Sequence, residues 1–205
     1  MPMSKSVLLA LASLVLTSAA AHAQLLTVVE VNAPAVNCVF NPACTITVSD
    51  TVGFIALPYL ATPRTAWLQS RSFTGAAGTP GAGKTGYMYR ISLTQAAGSA
   101  DCLGGLVINF GPVARLPYLN NQLADVFVVT TGGLGTISLK SAEKFGNVIV
   151  FELAKKLCLA GGPDIKNTTF FFGLAANTVP MPISAQIFSA GMPPLYNVDA
   201  RVPTH

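Results

Sequence analysis

Gly86-Tyr-Met-Tyr-Arg-Ile-Ser-Leu93 is the stretch on which the fold turns. Tyr87, Tyr89, Ile91 and Leu93 alternate with Met88, Arg90, Ser92 and Thr94, a period of two that belongs to a half-buried strand and not to a helix. The same alternation recurs at Leu106, Ile108 and Phe110, and at Ile46 and Val48. Residues 126–129 and 148–153 are nearly unbroken runs of β-branched and aromatic side chains, the composition of strands covered on both faces. Further strands are predicted over 25–31, 67–73, 170–174, 183–188 and 196–202.

Glycine, proline and asparagine gather between these runs, at 75–83, Gly132-Gly133, Gly161-Gly162-Pro163 and Pro193-Pro194. Glycine supplies positive φ in turns, and proline cannot sit inside a central ladder. Helix is expected only as a turn or two over 138–145, and residues 75–83 read as a mobile loop. The pattern predicts one domain, an all-β antiparallel sandwich spanning 24–205. A small outer-membrane β-barrel is the alternative. The many prolines and the lack of aromatic girdles at strand ends argue against it.

Residues 1–23 have the three parts of a secretory signal: Lys5, an apolar run over 7–16, and Ala21-His22-Ala23, a small-x-small cleavage site. The run is shorter than the 20 or so residues a spanning helix needs. The expected protein is therefore exported, to the periplasm, the cell surface or the medium.

All four cysteines, Cys38, Cys44, Cys102 and Cys158, follow the cut, and an even number in an oxidising compartment reads as two disulfides. Three pairings are possible; the one expected is Cys38–Cys44 and Cys102–Cys158. A metal site would need Cys-x-x-Cys spacing or histidine partners, and no metal or other cofactor is expected.

Charged residues form 10% of the chain, against roughly 25% in typical soluble domains. The net charge of +4 has no basic cluster longer than Lys155-Lys156 behind it, so nucleic acid is not an expected partner. Weak charge repulsion leaves the surface free to lie against a wall, a matrix or copies of itself.

Several motifs imitate chemistry. Gly78-Thr-Pro-Gly-Ala-Gly-Lys-Thr85 fits G-x-x-x-x-G-K-[ST], but a phosphate-binding loop needs a helix behind it, and residues 86–93 alternate as a strand. No nucleotide is expected. Ser141-Ala-Glu-Lys144 and Lys84-Thr-Gly86 match acyl-enzyme elements in the wrong chain order. His22 leaves with the signal and His205 is the last residue, so nucleophilic triads lack a base. Carboxylates could still hydrolyse a glycosidic bond. Asp101, Asp125 and Asp164 fall at loops, and Glu152 is unusual within an apolar strand. Trp67, Tyr87 and Tyr89 are the candidates for stacking on a sugar ring, with a core role as the plainer reading. Asn167-Thr-Thr169 fits a glycosylation acceptor.

The strings Gly86-Tyr-Met-Tyr-Arg-Ile-Ser-Leu-Thr94, Asn109-Phe-Gly-Pro-Val113, Asp125-Val-Phe-Val-Val-Thr-Thr-Gly-Gly-Leu-Gly135 and Phe170-Phe-Phe-Gly-Leu-Ala175 together resemble a loosely defined group of secreted bacterial proteins of uncharacterised function, some with a surface-sorting tail. The resemblance spans most of 67–176, implies export and carries no activity. The expected function is a non-enzymatic one in adhesion, envelope structure or matrix, with the chain itself, glycans or envelope components as partners. The alternatives are a carbohydrate-binding module or carboxylate-dependent glycan hydrolase, and the outer-membrane barrel. Thiol labelling of the unreduced mature protein is expected to modify none of the four cysteines; modification of all four would overturn the disulfides.

Overall fold

The computed structural model describes residues 23–98, 102–119, 121–159, 167–191 and 193–204. The expected signal, apart from Ala23, lies outside them, as do Asp101, Asp164 and Gly161-Gly162-Pro163. In chain order the elements are β1 (Gln24–Leu25), β2 (Val28–Asn32), α1 (Ala33–Phe40), β3 (Ser49–Phe54), β4 (Trp67–Thr74), β5 (Thr85–Ser92), β6 (Leu103–Asn109), β7 (Leu116–Leu119), β8 (Gln122–Ala124), β9 (Val126–Thr131), β10 (Leu139–Phe145), β11 (Val148–Leu157), β12 (Phe171–Ala176), β13 (Pro180–Ser189) and β14 (Leu195–Pro203). Two six-stranded sheets hold most of them. The first runs β1-β10-β11-β6-β13-β14, the second β2-β9-β12-β5-β4-β3, and β7-β8 is a separate hairpin. The described strands thus divide between two sheets and do not close into one barrel. Every pairing of named strands is antiparallel except β2 with β9, which is parallel.

Alternation on β5 explains how the sheets meet. Tyr87, Tyr89 and Ile91 point between them and are fully buried with Leu106, Ile108, Phe151 and Phe172. Tyr87 meets Phe110 edge-on at 5.3 Å, and Phe151 lies 5.0 Å from Phe172. Burial of each such side chain contributes about 1.5–3 kcal/mol. The two tyrosines also carry polar tips out of the core. Tyr87 Oη donates to Thr178 O and Tyr89 Oη to Arg201 O, both at 2.7 Å, so the second sheet is bonded to the chain of the first. At one side β3 rests directly on β14: a Cβ at Gly53 would meet the backbone of Asp199.

Contrary to its half-buried reading, β5 is covered on its other face too. Met88 joins a second apolar cluster with Val36, Val39, Phe40, Tyr118 and Phe127, because α1 and the β7-β8 hairpin lie across part of the outer face of the second sheet. The helix was not anticipated. Its cap is legible, since Asn32 Oδ1 accepts from Ala35 N at 2.8 Å and Pro34 occupies the first turn, both helix-start signals. The loop expected to be mobile is tied to this layer: Ala76 N donates to Phe40 O and Gly81 N to Val39 O. Ile46 and Val48 lie outside any strand, β3 beginning at Ser49.

The turn or two of helix expected over 138–145 is instead β10. Its pairing with β11 shifts register between Leu139 and Ser141, a bulge at Lys140. The bulge sets the buried residues Leu139 and Ala142 three apart, which mimics helical spacing. Both expected disulfides are present: Cys38–Cys44 ties the end of α1 to the turn after it, and Cys102–Cys158 links the residues before β6 and after β11.

Tyr118 is buried with no protein partner for its hydroxyl among the described residues. An unpaired buried hydroxyl costs free energy, whereas removing a paired one loses about 1 kcal/mol. Urea titration should therefore find Tyr118→Phe neutral or up to about 1 kcal/mol stabilising, and Tyr89→Phe destabilising by about 1 kcal/mol. Equal losses in the two variants would refute the distinction.

Candidate ligand-binding face

On the outer face of the second sheet α1 lies over β2 and β9 and reaches Met88 of β5 and Phe73 of β4; the other end of β4, with Trp67, and Phe54 of β3 are left open. Cross-strand register sets what is displayed there. Phe54 of β3 pairs with Trp67 of β4, and Gln69 pairs with Arg90 of β5. Directly paired residues share a face. A ladder of rings and cations follows. The Arg90 guanidinium sits 5.0 Å from the Trp67 ring and 5.0 Å from Phe171, and Arg71 lies 4.6 Å from Phe171 on β12. Arg64 stands 5.2 Å over Phe54. Each cation over a ring contributes from about 0.5 kcal/mol when exposed to about 2 when desolvated.

The two central arginines differ in their counter-charge. Arg71 Nε and Nη2 donate to Asp50 Oδ1 and Oδ2 at 2.8 Å each, and Gln69 adds a third bond to the same carboxylate. These hydrogen bonds, that of Arg71 first, hold the Asp50 carboxyl below its ordinary range. Arg90 forms no ion pair among the described residues, and its Nε is buried without a hydrogen-bond partner. Burial, then the charge of Arg71, disfavours its charged form, although a guanidinium remains protonated at physiological pH.

Beside this ladder are two hollows. One, of about 380 Å³, is lined by Trp67, Arg90, Ser92, Thr94 and Thr136. The other, of about 290 Å³, is bounded by Arg71, Met88, Phe171, Val36 and Val48. Gly133 and Leu134 line both. They belong to a turn whose Gly132 and Gly135 have φ of 72° and 110°, values that side-chain-bearing residues rarely adopt. Leu134 stands mostly exposed between the hollows. Among the described residues no acidic one lines either hollow. Tyr59, 82% exposed, lies with Phe54 and Arg64 at a further hollow of about 370 Å³.

Of the three aromatic residues expected to stack on a ligand, only Trp67 reaches this surface. Tyr87 and Tyr89 are corrected to core positions: both have 0% exposure, their rings face into the aromatic packing between the sheets, and burial pushes their hydroxyl pKa values up. Sequence reasoning missed Arg90 and Phe171. The outward register of β5 was readable, but the exposure of its face to solvent or to a covering layer was not.

The remaining candidates separate. A hollow of about 560 Å³ opens on the outer face of the first sheet and brings Glu143 and Glu152 together with Phe145 and Phe188. Neither Trp67 nor a tyrosine lines it. Glu152 is engaged by Lys140 Nζ at 2.8 Å and Ser141 Oγ at 3.4 Å, so Ser141 and Lys144 stand on a strand and form no acyl-enzyme pair. Asp125 accepts from Thr27 N and meets Arg115 at 3.2 Å, a structural tie between β9 and the link from β1 to β2. The Lys84 loop leads into β5, not into a helix. Asn167 Nδ2 is buried and so are Thr168 and Thr169, which closes that glycosylation acceptor to modification in the folded chain. No group of three metal-ligating side chains occurs among the described residues. Compared with known proteins, the chain matches no family model, no curated protein and no solved structure.

Because the folded Asp50 pKa is depressed, its stabilising contribution is present above the ordinary carboxylate pKa of about 3.9 and is lost as pH falls through the lower folded value. The pair is partly exposed, at 26% and 36%, so the effect is under about 1 kcal/mol. Thermal melts of wild type and Asp50→Asn should converge as pH falls from 6 to about 2.5. A gap that widens on acidification would contradict the pairing.

Proposed function

We propose that the protein is an exported, non-enzymatic adhesive module that holds a polysaccharide of the cell envelope or matrix against the open outer face of the second sheet. The observation that carries this reading is Arg90, fixed between Trp67 and Phe171 beside a hydroxyl-lined hollow and without an acid of its own. Ring faces, a fixed cation and hydroxyl groups are the chemistry by which a protein holds a hydrated, polyhydroxylated chain. The neighbouring hollow supports an extended ligand, since two shallow subsites in line suit a polymer. Two disulfides accord with work outside the cytoplasm.

The second reading, a glycan hydrolase, draws on the Glu143 and Glu152 hollow. Acid–base hydrolysis needs two carboxyl groups flanking the scissile bond. Here one of the two is already ion-paired, and the half-buried Trp67 is on the other sheet.

Affinity electrophoresis through gels containing neutral and acidic polysaccharides tests the proposal. Wild type is expected to be retarded by at least one polymer. Trp67→Ala should lose about tenfold in affinity, the equivalent of about 1.4 kcal/mol, and Glu143→Gln should bind as wild type. Retardation by none would overturn the proposal. Release of reducing ends, abolished by Glu143→Gln, would replace it with the hydrolase.

A further inference from the structure

We propose that the saccharide held on this face is acidic, with a carboxylate docked against Arg90. The inference rests on the polysaccharide-binding reading and narrows its ligand class. The open half of the face carries Arg64, Arg71 and Arg90, and the one carboxylate there among the described residues, Asp50, is taken up by a two-bond clasp with Arg71. Arg90, beside that clasp, rests between two ring faces and has no carboxylate bonded to it among the described residues, although Gln69 faces it across the strands and the charge of Asp50 reaches it. A ring face satisfies part of a guanidinium's field but none of its N–H donors, which lie in the plane of the group.

The hollow beside Arg90 offers what such a ligand requires. Among the described residues its walls carry no acid to repel a carboxylate, and its volume of about 380 Å³ lies within the range of small-molecule sites. Thr94 Oγ1, held at 2.9 Å by the buried Ser92 Oγ, still has acceptor capacity for a sugar hydroxyl. A guanidinium and a carboxylate are complementary planar groups able to form two parallel bonds. Holding Arg90 between two rings removes rotamer freedom before the ligand arrives, which lowers the cost of binding. In the polymer, neighbouring units would lie in the two hollows on either side of Leu134, one against Arg90 and the other against Arg71 and Phe171.

The probes are polygalacturonate, the same polymer with its carboxyl groups methyl-esterified, and dextran sulfate. Wild type is expected to be retarded by polygalacturonate, to lose most of that retardation on esterification, and to weaken as salt rises. Arg90→Gln should weaken binding at least tenfold. Arg90→Lys, which keeps the charge without the fork, should fall between, and it serves as the working variant if Arg90→Gln melts much lower than wild type. Equal retention of the esterified polymer would overturn the acidic ligand while leaving polysaccharide binding intact. Retention by dextran sulfate that survives Arg90→Gln and exceeds that by polygalacturonate would also overturn it, by reducing the effect to general charge. If no polysaccharide of any kind is retained, the underlying reading falls as well.

Discussion

A strand buried on both faces must find partners for two sets of side chains, and β5 sets that condition at the centre of the second sheet. Its inward residues, Tyr87, Tyr89 and Ile91, require a second sheet opposite. Its outward Met88 requires a third layer, which α1 and the β7-β8 hairpin supply. That layer covers only part of the sheet. At its margin Phe171 is buried by the helix side, yet two guanidinium groups rest on its ring. The open ladder therefore exists because the covering layer, which reaches Phe73 at one end of β4, stops short of Trp67 at its other end and of Phe54 on β3.

The sandwich was legible in the sequence because period-two alternation survives wherever strands are regular. Strands β4, β5, β6, β9, β11, β12, β13 and β14 each lie where alternation or a continuous β-branched run predicts them. The disulfide pairs followed from an even cysteine count in a chain expected to be exported and from the short Cys38–Cys44 interval. What escaped was local irregularity. One inserted residue at Lys140 gave β10 the spacing of a helix, and α1 was too short and too apolar to display an amphipathic period, although Asn32 and Pro34 marked its start.

The candidate face was less legible than the fold. Trp67 was identifiable by type alone, being the single tryptophan. Tyr87 and Tyr89 look the same as surface aromatics in one dimension, and only the packing of two sheets separates them from Trp67. Arg90 gave no motif. Its significance depends on neighbours far away in sequence, Phe171 and the Gly132–Gly135 turn, and on Asp50 having been claimed by Arg71. The letter-perfect motif of residues 78–85 fails for the same reason in reverse: its residues are right, but its chain continues as a strand.

The bulge at Lys140 has a further consequence at the margin of the first sheet. There the outermost strand, β1, is only two residues long, and most of β10 behind it would offer a ladder to any passing extended peptide. A short border strand, a bulge and a lysine are three separate obstacles to such uninvited pairing. A chain with few charges to keep its copies apart thus places one of them, with a local kink, where unwanted fibrils would otherwise begin.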